Sequence, residues 1–149
     1  MNLKRIYLIC LILIACGPSP IKKQLPPNII FIMSDDHTSQ AWGVYGGVLQ
    51  NYAVNQNIQR LVAEGVVLDN AFCTNSICVP SRASVLTGQY SHNNKVYTLN
   101  DALDPNRKNV AQLLQKSGYQ TAIVGKWHLK EKPSGFDYFN ILPGQGRYH

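Results

Sequence analysis

The chain reads as an α/β protein. Two observations predict that class: short apolar runs alternate with segments whose apolar residues recur at helical spacing, and polar residues able to do chemistry stand directly after those runs. At 149 residues the chain can bury one continuous core, and 45% apolar against 15% charged residues excludes a disordered chain.

The elements follow in order. Asn28–Met33 is a nearly continuous apolar run after two prolines and predicts a buried strand, with Asp35 and Asp36 at its end. Ile58, Leu61 and Val62 have helical spacing, and Gly65 is placed to end that helix with positive φ. Val66–Phe72 predicts a second strand. Pro80 through Thr87 predicts a helix with proline in its first turn and Gly88 at its C-terminal end. Val110, Leu113 and Leu114 mark a further helix stopped by Gly118, and Tyr119–Val124 predicts a third strand leading into Lys126 and His128. No internal repeat is present.

The first residues read as an address. Met1–Arg5 is basic and Ile6–Ala15 apolar, a run too short for a membrane-crossing helix of roughly 20 residues but of signal-peptide length. Leu13-Ile14-Ala15-Cys16 resembles the lipobox of bacterial lipoproteins, in which the cysteine is acylated. We therefore expect a lipoprotein signal peptide over 1–15, lipidation at Cys16, a proline-rich tether over 16–27, and anchorage to the bacterial envelope on its periplasmic or outer-membrane face. The alternative is a plain secretory signal with Cys16 incidental.

Charge and cysteine usage exclude other classes. The net charge is +6, but Lys4, Arg5, Lys22 and Lys23 carry four of it, leaving +2 over residues 28–149 from scattered side chains. No basic face follows a phosphate backbone, which argues against nucleic-acid binding. With Cys10 in the leader and Cys16 spoken for, Cys73 and Cys78 do not make a disulfide framework or a four-ligand zinc site, though they could bridge each other.

Three constellations carry chemistry. Asp35 and Asp36 offer oxygen ligands to a hard cation if the chain turns there; otherwise they are a solvated loop. Cys78 precedes the Pro80 helix start, where backbone N–H groups favour anions, and Arg82 follows about one turn later; a buried cysteine ahead of an ordinary helix is the alternative. Lys126 and His128, separated by one residue, point to the same side in extended chain and pair an oxyanion-binding cation with a proton acceptor; a surface loop is the commoner origin of such a pair.

Taken together, Asn28–His37, Cys78–Gly88 and Gly118–His128 resemble the N-terminal part of the sulfatase family, in the family's order. The resemblance implies an alkaline-phosphatase-like mixed sheet flanked by helices, with residues 28–149 forming the N-terminal part of a catalytic domain whose further metal ligands, second lysine and leaving-group histidine lie beyond residue 149. The chain is expected to be truncated. The resemblance also implies that a maturing enzyme oxidises Cys78 to formylglycine, whose hydrate is the nucleophile. Asp35, Asp36 and residue 78 would bind Ca²⁺; Arg82 would hold the hydrate, Lys126 the sulfate or aldehyde oxygen, and His128 would hydrogen-bond the hydrate and act as base.

Two departures stand out. Val79 is larger than the family's residue after the modified cysteine, and Asn55-Gln56-Asn57 lacks the proline that starts the family's first helix. Gly135–Gly146 is similar to a stretch of bacterial carbohydrate sulfatases, including those acting on N-acetylglucosamine 6-sulfate, so a sulfated glycan is the expected substrate; its aromatic residues read equally as core. Competing expectations are a phosphoester or phosphonate hydrolase of the same superfamily, an inactive lipid-anchored remnant or binding module, and a hydrolase using the unmodified Cys78 thiol.

Overall fold

The computed structural model describes residues 25–147. The leader with Cys16, and most of the tether, lie outside the described residues. No helix among the described residues is long and apolar enough to cross a membrane.

The chain divides into two compact units, one ending at Gln59 and one beginning at Arg60. In the first, two single turns of 3₁₀ helix, Ser39–Ala41 and Gly43–Tyr45, follow the Asp35-Asp36 turn. Thr38 caps the first through its side chain, and Gly46 ends the second at φ 71°. Helix α1, Gln56–Glu64, starts in this unit. The missing proline is compensated by Asn55, whose side-chain oxygen accepts the amides of Asn57 and Ile58, each at 3.1 Å. Gly65 follows α1 as expected but not at positive φ; a Cβ there would lie 2.8 Å from the Leu61 carbonyl oxygen. Glycine is needed at that point for close approach rather than for left-handed backbone.

The second unit holds helix α2 (Cys78–Thr87), the single turn α3 (Ser91–Asn94), helix α4 (Val110–Lys116) and strands β1 (Ala122–Lys126) and β2 (Tyr138–Leu142). Gly88 ends α2 at φ 64°, the stop expected of it. Asn109 and Gln112 close a reciprocal cap at the start of α4. β1 and β2 pair in parallel, Ala122 opposite Tyr138 and Lys126 opposite Leu142. Residues 127–137 join them without a helix, shorter than the usual parallel crossover. Asp137 holds the register: its carboxylate accepts the Thr121 amide at 2.7 Å, the Thr121 hydroxyl at 3.2 Å and the Gln115 side-chain amide at 2.8 Å.

Three expectations are corrected. Asn28–Met33 and Val66–Phe72 form no strand; apart from half-buried Val67 the apolar side chains of both runs are exposed, Ile32 at 85% and Phe72 at 89%. A buried strand needs a ladder on its edges and cover on its faces, and the one sheet among the described residues is β1–β2. The third run is a strand, but displaced to Ala122–Lys126, because Thr121 is engaged by Asp137. β2 lies within Gly135–Gly146, where the sequence predicts no strand.

The core of the second unit is Val79 and Ala83 of α2 with Val96, Leu103, Trp127 and Leu129; Leu86, Ile123, Phe136 and Ile141 pack against it. Asn94 is buried beside it and fully used, donating to Gln89 O at 3.0 Å and Ser84 Oγ at 3.5 Å and accepting the Val96 amide at 2.9 Å.

Candidate active site

Cys78 is the first residue of α2, which starts two positions earlier than the expected start at Pro80. Ile77 is the extended cap residue, φ −134° and ψ 143°, and contributes no side-chain acceptor to the first-turn amides. Pro80 sits in that first turn, where its missing N–H costs nothing. The half-buried thiol therefore stands at a helix start whose amides and dipole favour an anion. Cys73 and Cys78 are both free thiols.

One turn along the same face, Arg82 Nη1 donates to the main-chain carbonyl of Lys126 at 2.5 Å. Lys126, the last residue of β1, returns its Nζ to the Cys78 Sγ at 3.7 Å. The three residues form a closed ring between the start of a helix and the carboxyl end of a strand, the place where sites form in α/β sheets. Their neighbours hold the ring together: Val79 follows Cys78, Trp127 follows Lys126, and both belong to the core cluster. The bulk of Val79 is thus absorbed by the core.

His128 is half-buried two residues beyond Lys126. The strand has already ended, and His128 adopts φ 57°, so the extended alternation expected to align it with Lys126 does not apply. Left-handed backbone at a non-glycine residue persists where surroundings over-determine it, typically at functional sites.

Asp35 and Asp36 belong to the first unit and form the turn that two neighbouring carboxylates need to face one ion, with Asp36 at φ 56°. The donor chemistry fits a hard cation. Among the described residues no group of three or more His, Cys, Asp or Glu side chains comes together. A cleft of about 340 Å³ beside α2, lined in part by Phe72, Cys73, Ser84 and Tyr90, does not include Cys78, Lys126 or His128 in its walls.

Sequence reasoning missed Trp127, Thr121 and Asp137, which shape the loop carrying His128 and the strand pair below it. Their signal was present as a buried-type tryptophan between two polar residues and an aspartate after Gly135-Phe136.

The sulfatase family model matches residues 27–144, and the chain belongs to that family. It is 42% identical over 138 residues to an N-acetylglucosamine-6-O-sulfatase of Bacteroides thetaiotaomicron, covering 93% of this chain and 24% of that protein. It is 35% identical over 131 residues to the N-acetylgalactosamine-6-sulfatase of Homo sapiens, covering 75% of this chain and 24% of that protein. Among solved structures it resembles BT4656 in complex with its substrate D-glucosamine-2-N,6-O-disulfate, with a TM-score of 0.74 and 45% identity over 80% of this chain and 24% of that one. The chain thus spans about a quarter of the length of these relatives. The α/β, alkaline-phosphatase-like assignment holds.

Proposed function

We propose that this protein is a sulfuric ester hydrolase that removes sulfate from a sulfated carbohydrate, with residue 78 as the nucleophile after oxidation of Cys78 to formylglycine by a maturing enzyme. The observation that carries the reading is the Lys126 ammonium 3.7 Å from the Cys78 sulfur, at the open start of α2. A sulfate ester presents three oxygens whose charge grows as the ester bond breaks. Cations and amides fixed beforehand around that position stabilise the transition state without reorganising.

Each residue then has a task. Lys126 neutralises the oxygen nearest residue 78, and Arg82 adds a second fixed positive charge to the same helix face. His128 takes on its imidazole the proton of the hydroxyl that does not attack, as sulfate leaves residue 78. Formylglycine supplies, as its hydrate, a hydroxyl nucleophile whose partner hydroxyl allows sulfate to leave again. Asp35 and Asp36 would contribute carboxylate ligands to Ca²⁺, which would supply positive charge for a sulfate ester. The relatives named for 6-sulfated hexosamines, and BT4656 with its 6-O-sulfated glucosamine, support a 6-sulfated amino sugar as the substrate class. The lipobox-like leader supports export and anchorage through Cys16 to the envelope, where such glycans are met.

The test is mass spectrometry of the peptide spanning Cys78 from protein made in its native host, together with rates on aryl sulfate and aryl phosphate. An aldehyde at residue 78 and preference for sulfate are expected. A thiol throughout, or preference for phosphate, overturns the reading in favour of a phosphoester hydrolase or an inactive chain.

A further inference from the structure

Residues Trp127–Glu131 form a turn that is tied down at both ends and in its middle. Trp127 and Leu129 are buried in the core cluster, and the Trp127 ring meets Phe136 edge-on at 6.1 Å between centroids. The indole N–H does not reach a neighbouring element. It donates to the main-chain carbonyl of Glu131 at 2.6 Å, closing the turn on itself. Inside it the Glu131 amide donates to the Leu129 carbonyl at 2.8 Å. The two residues flanking Leu129, His128 and Lys130, have φ of 57° and 64°. Two non-glycine residues in left-handed conformation within one short turn need an outside constraint.

We infer that Trp127 is a positioning residue for His128. The indole N–H, by holding the Glu131 carbonyl, keeps residue 128 in the left-handed conformation and so sets the direction in which its imidazole leaves the chain. Lys126 does not depend on this bond, because its backbone is in register with Leu142 and held by Arg82. Losing the indole bond therefore loosens the backbone that carries the proton acceptor while leaving the sulfate-facing cation in place. The inference rests on the reading of His128 as the base in ester hydrolysis.

The test is a double-mutant cycle in the mature protein produced in its native host, read as kcat and KM on aryl sulfate across pH. Trp127→Phe keeps an aromatic ring against Phe136 and removes the N–H. A second variant, with 3-benzothienylalanine at position 127, replaces the indole N–H by sulfur at nearly unchanged shape and covers the case in which Trp127→Phe does not fold. Proton transfer by a well-placed side chain contributes about 10²–10⁴-fold, so either variant is expected to lower kcat by about tenfold or more with KM within about twofold. The limb of the pH profile that depends on His128 should move with it. In a His128→Ala background the same replacement should change kcat by less than about twofold, since the group it positions is gone. An unchanged kcat in the isosteric variant, or losses that multiply in the His128→Ala background, overturns the inference. A wild-type protein with no sulfate ester turnover fails one step earlier: it overturns the proposed function, and the inference with it, before any variant is compared.

Discussion

Lys126 meets helix α2 twice over: its Nζ lies 3.7 Å from the Cys78 sulfur, and its carbonyl oxygen accepts a hydrogen bond from Arg82, one helical turn beyond that cysteine. Replacing its charge while keeping its stem, Lys126→Met, should therefore strike chemistry rather than folding. Removing one preorganised oxyanion-stabilising group costs about 10²–10³-fold in kcat, and that is the expected loss on aryl sulfate. The thermal midpoint should stay close to wild type, because β1 pairing and the Arg82 bond use the main chain of residue 126. A midpoint that collapses with the activity would mean the ammonium serves the fold instead.

Arg82 offers the complementary test. Its guanidinium donates to a main-chain acceptor that no side-chain replacement at 126 removes. Arg82→Gln should cost about 1.5–3 kcal/mol of stability, the range for a hydrogen bond from a charged group, measured by denaturant unfolding. The same cost should appear in the Lys126→Met background. A cost that disappears there would show that the arginine is held by the lysine side chain and not by its carbonyl.

The residues of this ring were legible in the sequence because local rules place them. Proline in a first turn marks α2, Gly88 ends it, and a spacing of four puts Cys78 and Arg82 on one face. Gly118 and the following apolar run likewise located β1 to within three residues. The runs at 28–33 and 66–72 misled for a reason that lies outside the local sequence. Apolar character states that a segment can be buried, but a strand exists only where another strand pairs with it, and that pairing is a long-range fact. His128 was misjudged in the opposite way. Extended alternation puts its side chain on the side of Lys126, whereas a core-anchored tryptophan and leucine on either side turn the backbone at that residue.

Gly135 shows where a single methyl group would be resisted. Its φ is 81°, and a Cβ there would lie 2.6 Å from Gln112 Cγ and 2.7 Å from the Gln112 amide nitrogen. Gln112 cannot retreat without opening the Asn109 cap of α4. Gly135→Ala should thus combine left-handed strain of about 1–2 kcal/mol with the loss of a cap worth about 1 kcal/mol. Unfolding in urea should show a midpoint lowered accordingly, with an unchanged slope. A neutral substitution would mean that α4 can shift away from residue 135 freely.

Asp137 gives the strand pair a dependence on acid whose sign can be worked out. The Thr121 amide is the largest influence on its carboxyl, holding its pKa below the ordinary 3.8; desolvation opposes this, and the Thr121 hydroxyl and Gln115 amide reinforce it. A carboxylate with a lowered folded-state pKa contributes stability that is complete above its unfolded value and is lost as pH falls through the folded value. Asp137→Asn removes the titration while leaving an oxygen that can still accept the Thr121 amide. The stability difference between wild type and variant, followed by denaturant unfolding from neutral pH to about pH 2, should therefore be largest at neutral pH and shrink below 3.8. Asp101, held low by the Tyr97 and Thr98 amides, titrates in both proteins and cancels in that difference. A difference that stays constant across the range would show that Asp137 binds Thr121 equally well without its charge, and that the register of β1 and β2 rests on the neutral hydrogen bonds alone.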